Sequence, residues 1–136
     1  MYEKPFTLEI IAPDRVIFTG EVTSFSAPGI EGGFQVLVDH APFLSSLGLG
    51  QIKVKNKEGV DILFSANGGF VEVRGNKVVV LVESAERADQ IDVDRAKAAQ
   101  GRAEKRLQNQ TKDIDVERAR AAQDRALNRL RVATKA

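Results

Sequence analysis

Residues Val78–Ala96 read VVVLVESAERADQIDVDRA, and the chain changes architecture within them. Val78 to Val82 is apolar at five successive positions, which suits a strand covered on both faces. From Ala85 onward Pro and the aromatics are absent, Ala, Arg and Gln dominate, and the apolar period lengthens from two to about 3.6. A cut at Glu86 divides the 136 residues into two chemically distinct parts. Residues 1–86 carry 7 Lys or Arg against 11 Asp or Glu, a net of −4, whereas residues 87–136 carry 13 against 8, a net of +5. The overall +1 conceals that division. Every Pro, every Phe and ten of the eleven Gly lie in the first part. Two domains are therefore expected, 1–86 and 87–136.

Upstream of the switch, apolar and polar residues alternate in short runs. Phe6, Leu8 and Ile10 form one such run and Ile52 and Val54 another, with the period of two of a half-buried strand. Turn chemistry follows each run, at Pro13-Asp14, Pro28-Gly29, Gly32-Gly33, Asn56-Lys57-Glu58-Gly59, Asn67-Gly68-Gly69 and Arg74-Gly75-Asn76. Turns at this spacing predict eight to ten short strands in an antiparallel sandwich or flattened barrel, since a parallel sheet would need helices between strands. Val60–Phe64, Phe70–Val73 and Lys77–Glu83 are expected to form its closing meander.

Downstream, the chain repeats itself. At an offset of 23, Ile91-Asp92-Val93-Asp94-Arg95-Ala96 falls on Ile114-Asp115-Val116-Glu117-Arg118-Ala119, and 12 of 17 positions from Ile91 to Leu107 are identical. Two near-copies joined by Gln108–Asp113 predict an antiparallel two-helix hairpin, with Asp92 and Asp115 as N-caps. The seams are Val93, Ala96, Ala99 or Gln100, Ala103 and Leu107, and their counterparts Val116, Ala119, Ala122 or Gln123, Ala126 and Leu130. Ala-rich seams bury little apolar area, at roughly 25 cal/mol per Å². Gly101 weakens the first helix by a further ~1 kcal/mol. The hairpin should therefore be able to open. Arg95, Arg102 and Arg106, with Arg118, Arg125 and Arg129, each precede a seam residue by one, about 100° round the helix. The pseudo-two-fold relation of like helices packed through like faces would bring both Arg lines to one side of the closed hairpin.

The composition also excludes chemistry. Without Cys there are no disulfides, thiolate metal sites or thiol nucleophiles. The single His40, in Asp39-His40-Ala41-Pro42, has no nucleophile or second His at a recognisable spacing and reads as a loop residue. Gly68-Gly69 lacks the Lys-Ser/Thr ending of a phosphate loop, and no metal-ligand spacing appears. No enzyme constellation remains. The longest apolar run is far short of the ~20 residues of a membrane helix, so a soluble, unprocessed chain is expected. For the Arg face three readings stand: a solvated surface, a phosphate or carboxylate site, or a nucleic-acid patch. The last would make the hairpin the contact and the sandwich a scaffold. It is weakened by the charge balance and by the lack of aromatic residues after Glu86 on which bases could stack.

An ordered set of segments carries a resemblance over nearly the whole chain. It comprises Ala12-Pro13-Asp14-Arg15, Phe18 with Gly20-Glu21-Val22, Pro28-Gly29, Glu31-Gly32 to Phe34, Val36-Leu37 and His40-Ala41-Pro42. It continues with Leu47, Gly50 and Ile52, Gly68-Gly69-Phe70, Glu72-Val73, Asn76, Val78, Val80-Leu81, Glu83 and Ala85-Glu86. With the Ala- and Arg-rich hairpin that follows, the chain resembles the epsilon subunits of bacterial F-type ATP synthases. Val38 departs from the family, which commonly has Pro there, and affects only loop shape.

The resemblance implies a ten-stranded β-sandwich followed by two helices, in a subunit with no catalysis of its own and monomeric when isolated. It implies that the sandwich grips the gamma subunit and rests on the c-ring of the membrane sector, coupling proton-driven rotation to ATP synthesis. The helices would either fold on the sandwich or extend along gamma to the alpha and beta subunits and inhibit ATP hydrolysis. The location implied is peripheral, on the cytoplasmic face of the bacterial plasma membrane, with no nucleic-acid partner. ATP as a regulatory ligand is implied by the family's Ile/Leu-Asp-x-x-Arg-Ala motif, here Ile91-Asp92-Val93-Asp94-Arg95-Ala96. Glu86, Arg102, Arg125 and Arg129 match the remaining binding positions, and a role for Mg²⁺ is left open. Ile114–Ala119 fits the same pattern, so the motif is also what a capped helix start looks like in this chain.

Overall fold

The computed structural model describes residues 4–109 and 115–135. Six strands come first: β1 (Phe6–Ala12), β2 (Arg15–Gly29), β3 (Gly32–Val36), β4 (Phe43–Asn56), β5 (Asp61–Arg74) and β6 (Lys77–Arg87). A single 3₁₀ turn, Ala88–Gln90, leads to α1 (Val93–Gln108) and α2 (Val116–Thr134). The strands hydrogen-bond in the order β1-β6-β5-β4-β2-β3, and a β1–β2 pairing closes the sheet on itself. All pairings are antiparallel except β1–β6. The alternation expected of the first half is realised: Phe6, Leu8, Ile10, Ile52 and Val54 all point into one core, around Phe25 and Phe64.

The strands are fewer and longer than the eight to ten expected. Val60–Phe64 and Phe70–Val73 are not separate strands, since both runs lie in β5, apart from Val60 just before it. Gly68 and Gly69 have φ of 67° and 125°, so the Asn-Gly-Gly sequence bends a strand instead of ending one. Pairing continues on both sides of the bend, Asn67 with Ser84 and Gly69 with Val82. At Gly69 an added Cβ would collide with the Leu81 carbonyl oxygen, so close backbone approach requires glycine there. Pro13-Asp14, Lys57 to Gly59 and Gly75-Asn76 do turn the chain as expected. β6 also differs from its reading: Val78, Val80 and Val82 are buried, but Leu81 is 53% exposed, so the described residues cover only one face of the strand.

Asp92 and Asp115 cap the two helices as expected, each Oδ1 accepting the amide of Arg95 or Arg118 at 3.0 Å. The seam is alanine throughout its buried part, at Ala96, Ala103, Ala119 and Ala126. Ile114 and most of the Gln108–Asp113 connection fall outside the described residues. Both helices pack on each other, and α2 supplies the main contact with the sandwich, against β4, β5 and the 3₁₀ turn.

Candidate functional site

The sheet surface under α2 is polar because of strand register. Gln51 on β4 pairs with Ser65 on β5, and Ser65 with Glu86 on β6, so one cross-strand row presents an amide, a hydroxyl and a carboxylate away from the core. Two successive residues of α2 engage that row. Asn128, only 8% exposed, donates both hydrogens of Nδ2, to the Gly50 carbonyl at 2.9 Å and to Ser65 Oγ at 3.0 Å. Arg129 Nε lies 2.6 Å from Glu86 Oε1, and its Nη2 donates to Oε2 at 3.2 Å. The Nε proton points off the line to the carboxylate, so the Nη2 bond carries the directional part. The apolar share of this docking is small: Ala88, Ile91 and Val132, flanked by Leu63 and Ala133.

A small cavity of about 60 Å³ opens beside the ion pair, between Leu49, Asn67, Ser84 and Glu86 on the sandwich and Arg125 and Arg129 on α2. Glu86, Arg125 and Arg129 are thereby brought together. A carboxylate fills the fork of Arg129 in the way a phosphate would, since both offer paired oxygens to a planar guanidinium. The other residues of the sequence-based set lie differently. Ile91 and Ala96 are buried, with Ile91 in the apolar docking cluster and Ala96 in the hairpin seam. Asp92 is an exposed cap, and Arg95 and Arg102 are exposed on α1 and do not line the cavity. A larger hollow of about 560 Å³ lies near the end of α2, lined in part by Lys53, Asp61, Arg87, Asp89 and Lys135. Its charges largely neutralise one another, Lys53 with Asp61 at 3.6 Å and Arg87 with Asp89 at 3.1 Å, and it holds none of the candidate residues.

Among the described residues no group of three or more His, Cys, Asp or Glu is placed to hold a metal, and no helix is long and apolar enough to cross a membrane. Gly50 is among the positions that carry the family resemblance, whereas Asn128 and Ser65 escape a reading of motifs. Their one sequence signal is that Asn128 breaks the internal repeat, standing where the first copy has Lys105.

Comparison with known proteins covers both domains. Residues 5–88 match the model described as ATP synthase, Delta/Epsilon chain, beta-sandwich domain, and residues 89–134 match the long alpha-helix domain of the same chain. The ATP synthase epsilon chain of Nitratidesulfovibrio vulgaris is 50% identical over 105 residues, 77% of this chain and 78% of the relative. That of Pelotomaculum thermopropionicum is 49% identical over 111 residues, 82% of each. Among solved structures, a chain of the Euglena gracilis mitochondrial ATP synthase superposes with a TM-score of 0.77 over 88% of this chain and 76% of that one. A chain of the Tetrahymena thermophila central stalk and c-ring gives 0.58 over 99% and 98%. At 20% and 17% identity these two likenesses concern the fold.

Proposed function

The chain belongs to the delta/epsilon family of ATP synthase, as a non-catalytic epsilon chain of the central stalk, and from that membership we propose how its two domains divide the work. The sandwich couples: it seats on gamma and the c-ring, at the cytoplasmic face of the bacterial plasma membrane. The hairpin regulates: closed on the sandwich it is silent, and extended toward the alpha and beta subunits it inhibits ATP hydrolysis. ATP, bound by the closed form, holds it there.

The observation that carries the regulatory part is the polar docking of α2. Its contacts are one ion pair and one amide, whose groups water can serve once the helix leaves, and an apolar cluster too small to hold it alone. A partly exposed ion pair of this kind contributes ~1 kcal/mol or less. The site for ATP builds on Arg125 and Arg129, with Glu86 yielding the guanidinium fork to phosphate oxygens. A 60 Å³ cavity is far below the roughly 300–1000 Å³ of a nucleotide-sized pocket, so it takes the phosphate end only. Arg102, Arg95 and the Ile91-Asp92 turn would hold the rest of the nucleotide. Binding to the closed form alone then stabilises it by RT ln(1 + [L]/Kd).

The gamma contact is supported by an apolar row on the outer face of the sandwich. Phe70 pairs with Leu81, Leu81 with Ile11 and Ile11 with Val16, while Leu44 lies diagonal to Phe70. Phe70 and Leu81 are 53% exposed, Val16 60% and Leu44 69%. Permanent subunit interfaces are apolar at their centre, and this row is where β6 lacks cover from the described residues.

The test is an ATP titration of the isolated chain by calorimetry, with GTP and ADP as controls. Saturable, ATP-preferring binding that weakens at least about tenfold in Arg125→Ala, a loss of ~1.4 kcal/mol, is expected. No binding at millimolar ATP refutes the nucleotide site while leaving the coupling role intact.

A further inference from the structure

We propose that Asn128 is the positioning residue of the closed hairpin: its amide fixes the register and rotation of α2 on the sandwich, and so sets where Arg125 and Arg129 stand. The inference rests on the mobile-hairpin reading and deepens it. α2 brings only Val132 and Ala133 to the apolar docking cluster, and so small a patch defines neither register nor rotation. Hydrogen bonds do not slide. Both Nδ2 hydrogens of Asn128 are used, one by the backbone carbonyl of Gly50 and one by Ser65 Oγ, at 2.9 and 3.0 Å. N–H···O bonds hold only within about 2.7–3.2 Å and steep angular limits, so a shift of even ~1 Å loses both. A slip by one helical turn, ~5.4 Å, would carry the amide off the row altogether.

Two features single this residue out from its neighbours. Asn128 is buried with both donors satisfied across 63 and 78 residues of sequence, whereas the other hydrogen bonds made by side chains of the two helices, apart from the Arg129–Glu86 bond, are local. And the repeat gives α1 and α2 the same caps, seams and Arg positions, yet at this place the copy facing solvent has an exposed Lys105 and the copy facing the sheet has Asn128. The next residue, Arg129, reaches Glu86, the neighbour of Ser65 in the same cross-strand row. Adjacent residues of the helix thus read adjacent members of the row, and only one seating satisfies both. On opening, Gly50, Ser65 and Asn128 each exchange their bond for one to water, so the device specifies the closed geometry without making it irreversible.

The chain contains no Cys, so two spin labels can be placed without background, at exposed Glu58 in the β4–β5 turn and exposed Arg120 on α2. Distance distributions in the full-length chain without nucleotide then count closed and open hairpins. Asn128→Ala should raise the open-to-closed ratio about tenfold and broaden the closed distance, and Ser65→Ala should do so less. The double substitution should add little beyond Asn128→Ala alone, a coupling that a general loss of packing would not produce. Should Asn128→Ala reduce helical content, Ser65→Ala decides, because it leaves the helices untouched. A hairpin that opens in Glu86→Ala but not in Asn128→Ala or Ser65→Ala overturns this assignment and leaves the mobile hairpin standing. One that stays closed in all three variants overturns both.

Discussion

Gly69 is the residue on which the sandwich turns. Its φ of 125° lies where side chains are rarely tolerated, and a Cβ there would meet the Leu81 carbonyl and approach Val82 Cα to 2.8 Å. These are backbone atoms that cannot swing aside. Gly69→Ala should therefore destabilise the fold by about 3 kcal/mol, read as a lower denaturant midpoint with an unchanged slope. An unmoved midpoint would mean that the strand can straighten without loss. Residues whose chemistry is local were legible in the sequence: Asp92 and Asp115 cap helices because a carboxylate three residues before an amide can do so in any context. Asn128 and Ser65 were not legible, since an amide in a helix and a serine in a strand ordinarily face water, and what makes them partners is a fold that joins positions 63 residues apart. Glu86, Arg125 and Arg129 were named from a resemblance, and geometry brings those three together.

At the scale of elements, the same limit explains the strands. Asn67-Gly68-Gly69 has the composition of a tight turn, and only the ladders on either side, Leu49 with Asn67 and Gly69 with Val82, make it a bend within one strand. The periodicity in β1 and β4 survived because inward and outward positions are set by the pleat alone. For the helices the repeat gave the boundaries, and Gly101 is the weak point that it predicts. A Cβ at Gly101 would meet nothing within 4 Å, so the position costs helix propensity with no packing gain to offset it. Gly101→Ala should stabilise α1 by ~1 kcal/mol, seen as greater far-ultraviolet ellipticity and a higher melting temperature of the hairpin. A variant with lower ellipticity would show that the glycine serves a bend or a contact made only in the extended form.

For the whole molecule, the two surfaces at work lie on different parts of the sandwich and should respond separately. Glu86, Ser65 and Gly50 hold the hairpin, whereas Phe70, Leu81, Ile11 and Val16 form an apolar row in register across β5, β6, β1 and β2, with Leu44 of β4 diagonal to Phe70. Five apolar positions in succession at Val78–Val82 announced a strand with two covered faces, and the described residues cover one. On the proposed seating against gamma, the second cover would come from that subunit, which would account for a sequence that looked more buried than the isolated fold makes it. Phe70→Glu places a charge at the centre of that row, where desolvating an unpaired carboxylate against an apolar partner is costly. Binding to gamma should weaken by well over tenfold, as for a central interface residue, a loss above ~1.4 kcal/mol. In the isolated chain the same substitution should leave hairpin closure and ATP affinity unchanged, because the polar bonds that seat α2 run to Gly50, Ser65 and Glu86 and to no member of the row. Titrating gamma with the variant, beside the ATP titration, separates the two surfaces. Undiminished binding to gamma would move the stalk contact to another face of the sandwich, and a loss of ATP binding with it would mean that the two domains communicate through the sheet.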